Sequence, residues 1–333
     1  MWWIWPVYVV LLVVMTFLSI ILARIVDALD KKTKLSGGFL GGILLAGVTS
    51  LPELITSLTA IILIGNADMT FGNIVGSNFF DIIIIGTVML CMFSIVKKCK
   101  LSKNTGILIL LCFLVSLMLL VFNIFYFSAM IPAINVSVLS IVFIVFYVYV
   151  VLLSKKEDDI EKEPENEQQT RFSSMGIKQI VLWFILSAIA LIGVSVGITY
   201  ATDFIAETYN IGSSVAGALF LGVATSLPEV ITCIELTRLK NFNMAVNDIY
   251  GSCMFNLLIL TIADIFYFKG TIFSFNTQTL YFLSFMVGAI ILTGVTYLLK
   301  RKNAKIAQSG WFYGVFGLII TASYIICMVL SAI

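Results

Sequence analysis

Long apolar runs alternate with short polar breaks along the whole chain, and the breaks set how many runs there are. A run of about 20 apolar residues is enough to cross a bilayer as a helix. The pattern predicts ten such helices, at 6–26, 37–64, 70–96, 105–127, 130–153, 177–201, 212–237, 244–267, 277–299 and 308–332. Asp27 to Lys34, Gly65 to Asp68, Lys97 to Lys103 and the polar stretch Ser154 to Ser174 are the clearest punctuation. Pro132 and the length of the run divide the fourth span from the fifth. The expected fold is an all-α integral membrane protein.

Charge tests the count. Of the 20 Lys and Arg, only Lys269 falls on one set of alternate connections. The other nineteen lie on the opposite set: Arg24 to Lys34, Lys97 to Lys103, Lys155 to Lys178, Arg238 with Lys240, and Lys300 to Lys305. A miscounted span would scramble that alternation. Positive charge marks the cytoplasmic side, which gives a multi-pass protein of the cell membrane with both termini outside.

Composition narrows the classes further. At 60% hydrophobic and 11% charged residues, with mean hydropathy +1.09, a water-soluble domain is excluded. The net charge of +2 gives no reason to invoke nucleic acid. There is no His, and the six Cys form no CxxC pair, so neither a zinc site nor a disulfide framework is expected. Trp2, Trp3 and Trp5 read as an interfacial belt ahead of a retained first helix rather than as part of a signal peptide. Seven acids lie between Glu157 and Glu167. A solvated cytoplasmic linker accounts for them, with a regulatory cation site as the lesser alternative.

Chemistry concentrates at a repeated motif. Gly47 to Leu54 (GVTSLPEL) recurs as Val223 to Val230 (VATSLPEV), and Asn73 to Asp81 (NIVGSNFFD) as Asp248 to Asn256 (DIYGSCMFN). Equivalent positions are five spans apart. An odd number means that the copies cross in opposite directions, so the ten transmembrane helices form two inverted five-helix repeats, 1–153 and 177–333, joined by 154–176. Inverted repeats are common in secondary transporters, which bind cargo near the midplane. Glu53 and Glu229 are charged groups at bilayer depth, and such groups mark ion or substrate paths. Helical spacing puts Thr49 and Ser50 on the Glu53 side, and Thr225 and Ser226 on the Glu229 side. Asn73, Ser77 and Asp81 form a four-residue ladder, mirrored by Asp248, Ser252 and Asn256. Pro52 and Pro228 free the carbonyls of Val48 and Ala224. All of these are hard oxygen donors, suited to Ca2+ and Na+. Gly37, Gly38, Gly41, Gly42, Gly212 and Gly217 are expected to serve close helix packing, and Gly76 and Gly251 the approach of the paired motif helices.

These residues resemble the cation/Ca2+ exchanger superfamily, in particular its Na+/Ca2+ exchanger branch, through a paired TSLPE with a trailing GS-x-x-x-[DN] in each half. The resemblance implies a central diamond of ion sites in which Glu53 and Glu229 bridge Ca2+ and the flanking Na+. It also implies that Thr49, Ser50, Ser77, Thr225, Ser226 and Ser252 add oxygens, with backbone carbonyls near Ala46 and Gly222, while Asp81 and Asn256 hold the equatorial corners. Transport would proceed by spans 1 and 6 sliding across this core. Cys253 departs from the Asn that Asn78 leads one to expect, and Asn247-Asp248 stands where the first half has Gly72-Asn73. The implied function is Na+/Ca2+ exchange, with no cofactor, the lipid bilayer as surroundings and no obligate protein partner. An H+/Ca2+ antiporter is the nearest rival. An intramembrane hydrolase would want two Asp at catalytic spacing and is not expected, and a channel fits two inverted halves less well than alternating access does.

Overall fold

The polar breaks become helix caps. A helix N-terminus leaves N–H groups unpaired, and a Ser or Asn side chain can accept from them. Asn66 Oδ1 accepts from Met69 N at 3.0 Å, Ser102 Oγ from Thr105 N at 3.2 Å, Asn241 Oδ1 from Met244 N at 3.1 Å and Asn276 Oδ1 from Thr279 N at 2.8 Å. The structure, a computed structural model, describes residues 2–33, 49–125, 130–131, 136–154, 175–273, 275–302 and 310–332.

In chain order the helices are α1 (Ile4–Thr33), α2 (Leu51–Ile64, π-helical from Thr59), α3 (Ala67–Cys91), α4 (Lys103–Ile124) and α5 (Val138–Ser154). They continue as α6 (Ile177–Tyr209), α7 (Ser213–Thr225), α8 (Leu227–Arg238), α9 (Phe242–Phe266), α10 (Thr277–Arg301) and α11 (Gly310–Ala332). Two short strands, Met130–Ile131 and Val136–Ser137, pair antiparallel ahead of α5.

Among the described residues, α1, α3, α4, α6, α9, α10 and α11 are each long and apolar enough to cross a membrane. The pair α7 and α8 adds one more if its 45° bend is a break within a single span. Helices α2 and α5 are apolar but shorter. The span expected at 37–64 is seen only from residue 49, because 34–48 lies outside the described residues, as do Gly37, Gly38, Gly41 and Gly42. The chain is thus a mostly helical, multi-pass membrane protein. Several boundaries differ from expectation: α1 runs on past 26 to Thr33, α3 ends at Cys91 rather than 96, and α5 begins at Val138 rather than 130, behind the short hairpin. Helix α6 does not stop at 201 but runs on to Tyr209, where Asn210 caps it in the left-handed conformation (φ 54°). Helix α3 starts three residues early, at the Asn66 cap.

Burial sorts the helices. The apolar stretches of α3 and α9 are 78% and 67% buried, against 22% for α6 and α11, so α3 and α9 form the centre. Helices α1 and α6 run against each other as an outer layer, sharing Leu22, Leu191, Ile198 and Ile205 and exposing Val10, Phe17, Leu182 and Ile189 outward. Small residues draw the centre together: a Cβ on Gly72 would strike the Ser214 backbone, and one on Gly76 would strike Ala218. Gly76 therefore lets α3 approach α7, a close backbone contact of the kind that small residues permit in membranes.

Candidate ion-binding site

Both SLPE copies start a helix at the same place. Ser50 (φ −90°, ψ 13°) precedes α2 and Ser226 (φ −88°, ψ 5°) precedes α8, with Pro52 and Pro228 in the first turn. Proline is tolerated there because a first-turn N–H has no intrahelical partner. A Ser-x-x-Glu helix start can form a capping box, in which each side chain bonds the other's backbone N–H. Neither copy does so. Instead Ser50 Oγ, Ser226 Oγ and all four carboxylate oxygens of Glu53 and Glu229 are buried without a hydrogen-bond partner. Glu53 is 0% and Glu229 4% exposed. Unpaired charge at such depth is strongly unfavourable, so these carboxyls must be balanced by a cation or held neutral by a proton.

Helices α3 and α9 extend the set. Ser77 Oγ meets Thr225 Oγ1 at 3.2 Å and the Gly222 carbonyl at 3.4 Å. That carbonyl also accepts from Thr225 Oγ1 at 3.3 Å and from Ser226 N at 3.3 Å, so it can ligate an ion only by exchanging those bonds. A Cβ on Gly222 would come within 2.7 Å of Ser77 N, so glycine keeps the two motifs in register. Thr225 lies against Glu53 and Ser226 against Asp81, each acid of the first half facing a hydroxyl of the second. Ser252 Oγ, one turn from Asn256, is buried and unpartnered. Thr49 is half-buried beside Ser50, and Ala46 lies outside the described residues.

The crossing of α3 and α9 is reciprocal. Asn78 Nδ2 donates to the Cys253 carbonyl at 3.3 Å, and Cys253 Sγ donates to the Asn78 carbonyl at 3.8 Å. These are equivalent positions of the two motifs, so the contact has the form of a self-complementary, two-fold interface. Nearby, Asn256 Nδ2 donates to Asn78 Oδ1 at 2.8 Å, and Cys253 Sγ, whose single proton is shared between the Asn78 carbonyl and the carboxylate, stands 3.8 Å from Asp81 Oδ2. This second pair is also equivalent, but the direction of donation is reversed. A carboxylate cannot donate, so an Asp at 81 needs its donor from position 253, and a thiol supplies one. The remaining oxygens, Asp81 Oδ1 and Asn256 Oδ1, are buried and unpartnered.

The structure therefore brings together Glu53, Asp81, Glu229, Ser50, Ser77, Thr225 and Ser226, with Ser252 and Asn256 on the adjoining face of α9. Among the described residues no three Cys, Asp or Glu side chains converge as a ready-made metal cage. The donor set is mixed, with carboxylate, hydroxyl and amide oxygens, the kind of ligation that hard cations accept. Sequence reasoning left Asp248 out of the ligand set, yet Glu229 is within electrostatic reach of Glu53, Asp81 and Asp248 together. Its ladder position was the available signal. Asn73, its counterpart, is a brace: its Nδ2 donates to Thr56 Oγ1 and Ser57 Oγ, both at 3.0 Å.

The family of sodium/calcium exchanger proteins matches residues 3–155 and 179–332. Among solved structures the chain is similar to native YfkE, with TM-score 0.69 and 16% identity over 98% of this chain and 91% of that one. It is similar to the H+/Ca2+ exchanger CAX at TM-score 0.70 and 14% identity, over 98% and 88% of the two chains. The sodium-calcium exchanger NCX_Mj, soaked with Na+ and Sr2+, aligns at TM-score 0.58 and 18% identity, over 97% and 96%. At these identities the likeness to the structures is one of fold. The family match spans both motif-bearing halves, and the chain belongs to the sodium/calcium exchanger protein family, within the cation/Ca2+ exchanger superfamily.

Proposed function

We propose that this chain is a secondary antiporter, not an enzyme, that extrudes Ca2+ in exchange for Na+ by alternating access. The observation that carries the reading is the set of buried oxygens left without partners on Ser50, Glu53, Asp81, Ser226, Glu229, Ser252 and Asn256. A purely structural cluster would satisfy such groups internally, whereas a transport site leaves them for a cargo that arrives and departs. Glu53 and Glu229 bridge the ions in this scheme, the hydroxyls of Thr49, Ser50, Ser77, Thr225, Ser226 and Ser252 complete their shells, and Asp81 and Asn256 occupy the corners.

The reading takes the helices as ten spans in two inverted repeats, 1–153 and 177–333, with 154–176 as a cytoplasmic linker. The reciprocal Asn78–Cys253 contact and a family match in two stretches support that division. The one-sided Lys and Arg distribution supports both termini lying outside. NCX_Mj is named a sodium-calcium exchanger, in keeping with Na+ coupling. Two observations favour the second reading, H+/Ca2+ exchange: CAX, similar in fold, is named an H+/Ca2+ exchanger, and Asp81 supplies an ionisable group where its mirror, Asn256, has an amide.

Proteoliposome 45Ca2+ uptake separates the two. Wild type is expected to load Ca2+ against an outward Na+ gradient, and Asp81→Asn to keep that uptake at an altered rate. Uptake driven by a pH gradient alone, and lost in Asp81→Asn, would overturn the Na+ reading.

A further inference from the structure

Asp248 is a fourth carboxylate that the ion scheme does not use. It lies on α9, one turn ahead of Ser252 and two ahead of Asn256, so all three share a helix face. It is set deep in the bundle, close enough for its charge to be felt at Glu229, Asp81 and Cys233. Yet it keeps accessible surface, whereas Glu53, Asp81 and Glu229 are buried. The neighbouring Ser252 Oγ and both Glu229 oxygens are buried and unpartnered.

The opposite side of the site is built differently. The counterpart Asn73 is neutral, 0% exposed and tied to Thr56 and Ser57. In the second half Ser57 is replaced by Cys233 and Asn73 by Asp248, which leaves a carboxylate where the first half has a neutral amide whose nitrogen is tied and whose oxygen alone is open. Asp248 stands toward the start of α9, next to the turn that carries Arg238 and Lys240, the side that charge assigns to the cytoplasm.

We propose that Asp248 is a cation-capturing ligand on the cytoplasmic face of the site, which takes Ca2+ from that side and passes it to Glu229 and Ser252. The proposal rests on the Ca2+ reading above. It makes the site one-sided: cytoplasmic Ca2+ meets a carboxylate first, and external Ca2+ meets only a neutral, fully buried amide. The test is the half-saturating Ca2+ concentration measured from each face, with 45Ca2+ in oriented vesicles. Removing one charged ligand weakens a calcium site steeply, so Asp248→Asn should raise the cytoplasmic value by about tenfold or more. The external value should stay within about twofold, since that approach does not pass Asp248. Asp248→Glu should restore most of the loss. A merely structural role would lower the maximal rate at both faces equally, and that result, or no shift at all, overturns the proposal. If the asparagine variant does not fold, Asp248→Ser serves as the neutral variant in the same assay. If wild type carries no Ca2+, the antiport reading fails by itself. Calorimetric titration of the solubilised protein with Ca2+ then tests Asp248 directly, and equal affinity in wild type and variant counts against it.

Discussion

At the scale of the residue, the site is built from groups that decline their ordinary partners. Ser50 and Glu53 have capping-box spacing, as do Ser226 and Glu229, yet the oxygens of both pairs stay free. Without a cation, the buried carboxylates oppose folding, because their desolvation is not offset. Glu53→Gln or Glu229→Gln should therefore leave a folded, monodisperse protein that is at least as heat-stable as wild type in chelator. Each variant should transport no Ca2+ and lose the stabilisation that Ca2+ gives, about 2.7 kcal/mol at a hundredfold excess over Kd. Thermal melts with and without Ca2+, together with 45Ca2+ flux, check this; normal flux in either variant sinks the assignment. These glutamates were legible in the sequence because their signal is local, a proline and a carboxylate in an apolar run. Cys253 was legible only as a departure. That its thiol meets Asp81 depends on where α3 and α9 cross, which no local pattern encodes.

At the scale of the element, the working units are broken helices and close crossings. The break before α8 follows from Pro228, whose missing N–H leaves the helix unable to continue straight. The crossing of α3 over α7 follows from Gly72, Gly76, Gly217 and Gly222, where added carbons would meet backbone atoms. Sequence spacing marked Gly217 as a packing residue but not its neighbour, since small residues say that something approaches and not what. Gly222→Ala tests the crossing. Its Cβ would fall 2.7 Å from Ser77 N, a backbone atom that cannot swing aside. The helices must part, at a cost of roughly 1–3 kcal/mol, and Ser77 would be drawn off Thr225. The expected result is a lower melting temperature together with a weaker Ca2+ response, whereas unchanged melting would mean that α7 yields more easily than close packing implies. Other anchors were invisible beforehand. Asp264 accepts from Ser137 N and Ser140 Oγ, both at 2.7 Å, and holds the hairpin ahead of α5 against the end of α9. A lone Asp near a span end gives no hint of that clamp.

At the scale of the whole molecule, the succession of long apolar helices was the most legible feature, because a bilayer imposes it on every helix at once. The hidden part was the set of contacts between halves, which depend on the three-dimensional arrangement. The proposed exchange has a consequence at this scale that no single residue carries. Glu53, Asp81 and Glu229 bring three negative charges to the core when ionised, and three Na+ would neutralise them. One Ca2+ leaves a single negative charge, unless a carboxylate takes up a proton. Trading three Na+ for one Ca2+ therefore moves one net charge across the membrane, worth about 2.3 kcal/mol per 100 mV. An inside-negative potential draws Na+ inward and should speed Ca2+ extrusion, while an inside-positive one should slow it. A potential imposed with K+ and valinomycin during Na+-driven 45Ca2+ flux measures this directly. With the Na+ gradient fixed, flux should rise and fall with the sign of the potential. Flux indifferent to it would exclude three-for-one exchange and favour an electroneutral cycle, in which two monovalent charges return for each Ca2+.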